Sequence, residues 1–383
     1  MKIHRLPSNK KLYSFGDDLA VVPILNTTLF QYQESVCNSI GLKITPVESI
    51  EKSNEKNHCG RFEFAQSMVF NKGFLSAALE FIKRNKPTKN LQFSIKTEES
   101  LIRFSLPTTQ NQDSWIFPFY YRINREDSFE NVILEGKEFS MKLAIPKPIV
   151  PFGYYTTHQN EIFAAEIISP FHLLQANVGL NIGRTIPYPK IIPTFLFGYF
   201  SEPFSRFSRW GLKLQNNIGK NCKIHPSAVI EGCHLGDNVI VGANAVLRLS
   251  VIGDNTFIGD TAVVTFSIIG KNNYIMTGNH LQFCLTYESV FTIHGPYQFS
   301  IFGRNTAVFA TINCDIRLDG KTISIPTENG ILDSKQHLLG IAYGHNCKIG
   351  ASNIIAAGRI VPNNTVLNPP EFIHLKFDDN VEN

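Results

Sequence analysis

The sequence predicts two domains, an α/β domain at the N-terminus and a left-handed parallel β-helix that runs from about Asn217 to Pro362. A repeat predicts the β-helix. Four segments of the form apolar-Gly-[Lys/Asp]-Asn begin at a constant interval of seventeen, at Ile218, Leu235, Ile252 and Ile269. From each start, apolar residues recur at steps of six, six and five, which indicates three short strands per coil around a triangular prism.

Each repeat carries the residues that a tight corner needs. Gly219 and the glycines at the same position of the next three repeats tolerate tight or left-handed backbone. The Asn two positions later accepts left-handed backbone and can hydrogen-bond along a stack of coils. Antiparallel strands would show two-residue alternation and hairpin dipeptides, and neither organises these four repeats.

The repeat continues less regularly toward the C-terminus. The segments Phe302–Asn305 and Tyr343–Asn346 match it again, and the last predicted coil runs from Tyr343 to Val361. Between these matches, residues 318–338 depart from the rhythm with a charged, Gly-containing stretch. We expect this excursion to leave the prism as a loop, and loops on rigid scaffolds often carry functional groups.

Residues 1–165 show no repeat and mixed signals. Apolar periodicity predicts an amphipathic helix from Phe70 to Lys83, and residues 91–96 and 100–106 are typical of strands. This part of the chain is therefore expected to form an α/β domain.

The middle of the chain is expected to connect the two domains. Residues 166–215 predict an interdomain helix and a linker, because Ser169 can cap a helix that has Pro170 in its first position. The β-helix domain then spans 216–367, and residues 368–383 form a C-terminal tail.

Composition excludes several classes of protein. The net charge of +4 over 383 residues is small and scattered, so no nucleic-acid partner is expected. No apolar run reaches the length of a membrane span, and the first residues do not form a signal peptide, so we expect a cytoplasmic protein. Seven Cys without a CxxC pair predict free thiols in a reducing compartment, several of them small core fillers.

Two segments resemble one family. Residues 169–177, SPFHLLQAN, resemble the Pro-Trp-Asp-Leu-Leu-x-x-Asn interdomain helix of sugar-1-phosphate nucleotidyltransferases. The stretch from His294 to Lys321, followed by Leu339-Gly340, resembles the acetyltransferase half of the archaeal-type bifunctional enzymes. That family joins a nucleotidyltransferase to a left-handed β-helix, which transfers an acetyl group from acetyl-CoA to an amino-sugar phosphate. The resemblance covers residues 165–365 and implies acetyl-CoA as co-substrate and a homotrimer.

The resemblance also implies the site residues. His294, Tyr297 and Lys321 match the family's positions, whereas Asp315 stands where the family has Asn and Ser324 where it has a second Lys. An imidazole with a near-neutral pKa suits the removal of a proton from an attacking amine, so His294 is the candidate catalytic base. Tyr297, Asp315 and Lys321 are the candidate substrate-binding residues, with Lys321 placed for a phosphate or pyrophosphate.

Each of these residues has a structural alternative. His294 could be a surface or stacking residue on a loop, Tyr297 could cover the end of the β-helix, and Lys321 could be a solvated loop residue. Asp315 and Asp319 flank Arg317 and could form an internal ion pair that fixes the loop. His280 is a rival base, and further imidazoles near the coils are His234, His337 and His345. No HxxxxH spacing occurs, so no metal site is predicted in the β-helix.

The N-terminal half departs from the family. Residues 19–33, LAVVPILNTTLFQYQ, contain no Gly-rich loop of the kind that holds a triphosphate. We therefore expect a degenerate nucleotidyltransferase-like domain. The predicted function is an acyl-CoA-dependent N-acyltransferase that acts on an amino-sugar phosphate or a nucleotide-linked amino sugar. The alternatives are a non-catalytic scaffold or regulatory protein of the same two-domain plan, and a sugar-1-phosphate nucleotidyltransferase.

Overall fold

The computed structural model describes residues 2–45, 60–96, 114–135, 138–144, 154–160, 162–185, 213 and 215–369. It contains a mixed α/β domain beside a parallel β-helix with three faces, and the predicted fold class is confirmed. The predicted strand at 100–106 and most of the predicted linker after residue 185 lie outside the described residues.

In its described residues, the α/β domain consists of short strands and three helices. The helices are α1 Leu29–Asn38, α2 Lys72–Asn85 and α3 Pro170–Thr185, with one 3-10 turn at Leu19–Val21. The strands are β1 Lys2–Leu6, β2 Pro23–Ile24, β3 Thr27–Thr28, β4 Ile44–Thr45, β5 Arg61–Ala65, β6 Met68–Phe70, β7 Leu91–Lys96, β8 Ser114–Arg122, β9 Glu130–Leu134, β10 Glu138–Ala144, β11 Tyr154–Asn160 and β12 Ala164–Glu166.

Six of these strands form one mixed sheet in the order β4-β1-β5-β8-β7-β9. Its core is aromatic: the ring of Phe119 lies within 6.0 Å of the rings of Phe62, Phe64, Phe70, Phe74 and Phe93. The predicted strand at 91–96 is confirmed as β7. The predicted helix begins two residues late, at Lys72, because Phe70 still belongs to β6 and Asn71 caps the helix through the backbone N–H of Phe74.

Helix α3 begins at Pro170, as predicted. The Ser169 carbonyl accepts the first helical hydrogen bond, while its hydroxyl contacts Nδ1 of His172 at 2.7 Å. The amide of Asn177 bonds to the backbone of Pro23 and Leu25 at 2.9 and 2.8 Å. Helix α3 thereby joins the β2–β3 hairpin to the β-helix. Outward side chains of the β-helix pack in the same apolar core as the side chains of α3.

The β-helix has three faces of stacked parallel strands. Face 1 consists of Asn217–Ile218, His234–Leu235, Val251–Ile252, Ile268–Ile269, Leu285–Thr286, Ile301–Phe302, Ala342–Tyr343 and Ile360–Val361. Face 2 consists of Lys223–Ile224, Ile240–Val241, Phe257–Ile258, Tyr274–Ile275, Phe291–Ile293, Ala307–Phe309, Lys348–Ile349 and Val366–Leu367. Face 3 consists of Val229–Glu231, Val246–Arg248, Val263–Thr265, His280–Gln282 and Tyr297–Gln298, and the pair Ile312–Asn313 and Ile354–Ile355 forms a small sheet of its own.

The strand register gives the coil length. On face 1 His234 pairs with Val251 and Val251 with Ile268, at the interval that the repeat predicts. One coil is shorter by one residue, because Leu285 pairs with Ile301 and not with the residue after it. Val361 pairs with Tyr343 on face 1 and so begins a further coil, whereas the repeat predicts both residues in one last coil.

The corners behave as the repeat predicts. Asn238, Asn255 and Asn272 adopt left-handed backbone, with φ values of 56° to 58°. Their side chains form a ladder, with amide-to-carbonyl distances of 3.0 and 3.2 Å between successive coils. A Cβ atom on Gly253 would lie 2.6 Å from the Gly270 carbonyl carbon, so the stacking of coils requires glycine there.

The excursion leaves the prism after Asn313 and returns at Ala342. It contains an antiparallel hairpin of Ser324–Thr327 and Gly330–Asp333. Its residue Ile325 is fully buried in the same apolar cluster as α3, so the excursion is packed against the body of the protein.

Six of the seven Cys lie in the described residues, and all six are free thiols. Cys233, Cys284 and Cys347 are buried inside the prism, where they fill small positions of its core, as predicted. In the described part of the chain, no helix combines the length and the hydropathy needed to cross a bilayer.

Candidate functional site

The structure places the predicted base on a corner of the β-helix. His294 is exposed and adopts left-handed backbone, with φ 57°, between face 2 and face 3. The next residue, Gly295, donates its N–H to the side-chain oxygen of Asn279 at 3.2 Å. His294 is therefore exposed to solvent on a turn that a hydrogen bond from the next residue stabilises.

Tyr297 lies inside the prism. Its side chain is fully buried, its ring is 5.4 Å from that of Phe302, and its hydroxyl donates to the carbonyl of Ile293 at 3.2 Å. The structure thus places this tyrosine in the core of the prism and not over the end of the β-helix.

Asp315 and Lys321 lie in the excursion. Burial raises the pKa of the half-buried Asp315 carboxyl. Lys321 is exposed, and its backbone N–H donates to Asp319 at 3.2 Å. Arg317 pairs with Asp319, at 3.0 Å from its Nε, and not with Asp315. Within the described residues no hydrogen bond or ion pair joins any two of the four predicted site residues, and their roles in catalysis or binding stay predictions.

A cleft lies between the two domains. It has a volume of about 590 Å³ and opens between the β2–β3 hairpin with the first turn of α1 on one side and the face 1 corners of the β-helix on the other. Its size is that of a small-molecule pocket.

The α/β side of the cleft is held by local hydrogen bonds. Leu25 and Asn26 both have positive φ, which closes the two-residue turn of the β2–β3 hairpin. The side chain of Asn26 then donates to the carbonyl of Ile269 at 2.8 Å and so fixes the hairpin to the β-helix. Helix α1 starts beside it with a reciprocal capping box between Thr28 and Gln31.

The β-helix side of the cleft consists of successive corners. Gly253 and Gly270 present backbone, and at the next coil Tyr287 occupies the glycine position. On four successive coils the residue after the corner carries a charge and lines the cleft: Asp254, Lys271, Glu288 and Arg304. Neighbouring coils are about 4.8 Å apart, so this column of charges is closely spaced.

His234 is the histidine that lines the cleft. It lies on face 1 with its side chain outward and half-buried, because the next residue, Leu235, points into the core. Burial lowers the pKa of His234, and the positive charge of Arg184 lowers it further. Both effects favour the neutral form of the ring. In the described structure no hydrogen bond engages either ring nitrogen, so one of them is free to accept a proton.

At the far end of the cleft Arg304 is part of a buried polar cluster. Its guanidinium lies 2.8 Å from the Asp17 carboxylate and 3.1 Å from Glu288. His345 contacts the other Asp17 oxygen through Nε2 at 2.9 Å, and its Nδ1 accepts the backbone N–H of Arg304 at 2.9 Å. Because Nδ1 is an acceptor, Nε2 carries the proton, and His345 has no lone pair left for a general base.

The sequence points to some of these residues and misses others. It marks His234, His345 and His280 only as imidazoles near the coils, and His280 lies half-buried on face 3, away from the cleft. It does not mark Asp17, since nothing in the surrounding sequence signals a partner 328 residues away. The break in the glycine column at Tyr287 is the signal that could have located the cleft.

Residues 217–248 match the family model described as bacterial transferase hexapeptide (six repeats). The match covers the first two coils and supports a hexapeptide-repeat transferase, a class whose general role is of the acyltransferase type. No curated protein matches the chain. The nucleotidyltransferase-like character of the α/β domain stays a prediction.

Proposed function

We propose that this protein is an acyl-CoA-dependent N-acyltransferase, with acetyl-CoA as donor and an amino-sugar phosphate or nucleotide-linked amino sugar as acceptor. The observation that carries the proposal is the half-buried imidazole of His234, which lines a cleft on a hexapeptide-repeat β-helix. A neutral imidazole can act as the general base that takes a proton from an attacking amine.

The proposed reaction needs one base and no redox partner. The acceptor nitrogen attacks the thioester carbonyl carbon, an N–C bond forms, and the imidazole takes a proton from the nitrogen. The tetrahedral intermediate then collapses, the C–S bond breaks, and the proton passes from the imidazole to the departing thiolate sulfur. Two histidines are candidates for the base: His294, which the resemblance suggests, and His234, which lines the cleft.

Release of free CoA from acetyl-CoA tests the proposal. We expect thiol release with amino-sugar phosphates and nucleotide-linked amino sugars, and none with the matching sugars that carry a hydroxyl in place of the amine. Loss of the base should lower the rate about a hundredfold or more. His234→Gln and His294→Gln, assayed side by side, identify which histidine acts, and the absence of CoA release from the wild-type protein overturns the proposal.

A non-catalytic scaffold is the second candidate. It is favoured by the separation of the four predicted site residues and by an apolar row on the outward side of face 2. That row includes the partly exposed side chains of Ile240, Tyr274 and Phe309. With either function we also propose a homotrimer and a cytoplasmic location. Sedimentation velocity measures the oligomeric state.

A further inference from the structure

We infer that the interdomain cleft binds the acyl acceptor, a small ligand that carries both an amine and a phosphate or carboxylate group. This inference rests on the proposed acyl transfer and adds to it the place and the polarity of the acceptor site. The observation behind it is the pattern of charges that line the cleft.

The charges of the cleft are mixed. Arg304 is already engaged, because it pairs with Asp17 and Glu288. Lys271 is exposed, and within the described residues it forms no ion pair. Asp254 uses one carboxylate oxygen to accept the backbone N–H of Asp237 at 2.7 Å and leaves the other for a ligand. One available cation and one available carboxylate therefore face the same space.

Such a pattern selects a ligand with both signs of charge. A coenzyme A molecule carries several phosphate charges and would need an excess of cations, which this cleft does not offer. An amine beside Asp254 and an anionic group beside Lys271 would satisfy both side chains at once. The first turn of α1 lines the same cleft, and the positive end of its dipole adds to the attraction for the anion.

The spacing of the coils supports this arrangement. Asp254 and Lys271 occupy the same position of two successive coils, so one coil step of about 4.8 Å separates them along the axis. In a 2-amino sugar 1-phosphate the amine and the phosphate stand on adjacent carbons, which suits this short separation. His234 lies one coil before Asp254, on the side of the carboxylate that would hold the amine.

The cleft is also rigid before any ligand enters. Gly253 and Gly270 are held by the stacking of coils, and the Asn26 bond to Ile269 fixes the opposite side. The Asp17 contacts to Arg304 and His345 close the far end. Groups held in this way lose little freedom on binding, which favours a small ligand with few contacts.

Calorimetric titration without acetyl-CoA tests the inference on the full-length protein. The probes are glucosamine 1-phosphate, glucose 1-phosphate and glucosamine. We expect glucosamine 1-phosphate to bind at least about tenfold more tightly than either of the other two. Lys271→Gln should weaken the binding of the phosphate-bearing probes about tenfold. Asp254→Asn keeps an oxygen for the Asp237 N–H and should weaken the binding of the amine-bearing probes by a similar factor.

The matched control is Lys220→Gln. Lys220 is an exposed lysine at the same position of the first coil, in the same column but outside the cleft, and its substitution should leave all three affinities unchanged. Thermal unfolding of each variant separates loss of a contact from loss of the fold. Equal binding of the three probes, no binding of any, or unchanged affinities in Lys271→Gln and Asp254→Asn would overturn the inference.

The two proposals fail in different ways. If glucosamine 1-phosphate binds with the expected dependence on Lys271 and Asp254 but no CoA is released, the binding site is supported and the proposed acyl transfer is refuted. If CoA is released and both substitutions leave the KM for the acceptor unchanged, the acyl transfer stands and the cleft is not its acceptor site.

Discussion

The carboxylate of Asp17 lies 2.9 Å from Nε2 of His345, although 328 residues separate the two in the chain. The same carboxylate receives the guanidinium of Arg304 at 2.8 Å. Beside this pair, the ring of Phe15 lies 4.9 Å from that of His345, and the Asn363 side chain donates to the Phe15 carbonyl at 2.8 Å. A short loop of the α/β domain is thereby fixed on the later coils of the β-helix.

Replacing Asp17 tests the strength of this link. Burial alone would raise the pKa of Asp17, but the contacts with His345 and Arg304 outweigh it and lower the pKa. A lowered pKa means that the carboxylate stabilises the fold above its unfolded pKa of about 3.9, and that this stabilisation is lost as the pH falls through the lower folded value. Asp17→Asn should therefore reduce the free energy of unfolding by about 3 kcal/mol at neutral pH.

Urea unfolding at several pH values measures the effect. The difference between wild type and Asp17→Asn should shrink as the pH is lowered below about 4. Asp319→Asn removes an exposed ion pair with Arg317 and should leave stability unchanged, as is usual for such pairs. Equal stability of wild type and Asp17→Asn at neutral pH would contradict the link.

A second prediction concerns the corners of the coils. Gly253→Ala places a Cβ 2.6 Å from backbone atoms of Gly270 and Lys271 in the next coil, which cannot move without disturbing the stack. We expect a loss of at least about 1–3 kcal/mol in the free energy of unfolding, measured with urea.

Gly183→Ala provides the control for this change. Gly183 lies in helix α3, has no atom within 4 Å of the added Cβ, and has no positive φ. Alanine there should stabilise the protein by about 0.5–1 kcal/mol, since glycine inside a helix costs backbone entropy. Destabilisation by both substitutions to the same extent would argue against the stacking explanation.

A third prediction concerns an aromatic stack between the β-helix and α3. The ring of Phe283 lies 4.8 Å from that of Phe266 and 4.7 Å from that of Phe299, with the planes nearly parallel. Phe283→Ala should destabilise the protein by about 3 kcal/mol, because it removes the middle ring and leaves a cavity beside α3. Ile331→Ala, at a side chain that is 74% exposed, should change stability by less than about 0.5 kcal/mol in the same unfolding experiment.

A fourth prediction concerns the thiols. Burial raises the pKa of Cys284 to about 12 and that of Cys233 to about 11, so neither forms a thiolate readily. In the native protein a disulfide reagent should modify Cys222 and Cys314, which are partly exposed, long before the buried thiols. In concentrated guanidinium chloride all seven should react. Rapid modification of Cys284 without unfolding, seen by mass spectrometry of labelled peptides, would contradict the buried position.

Local sequence was sufficient for much of the fold. The Gly and Asn positions reveal the coil length, since each corner needs left-handed or tightly packed backbone and few residue types accept it. The inward residues Thr286 and Thr292 continue that rhythm, but this coil is one residue short, so Tyr297 and not Gln298 lies in the core, and the repeat alone did not locate it. The resemblance suggested a ligand contact for it instead, because a motif match carries no information about which way a side chain points.

The cleft could be located only in the tertiary structure. His234 becomes a candidate base only when the β2–β3 hairpin covers one side of it. Lys271 and Asp254 face the same cleft only because two coils stack. The coil length, the corners and the start of α3 follow from the sequence, because they depend on contacts between residues that are near each other in the chain. The docking of Asp17 on His345 joins distant segments through side chains with no common pattern, so the place where the two domains meet, and the contents of their cleft, are visible only in the folded chain.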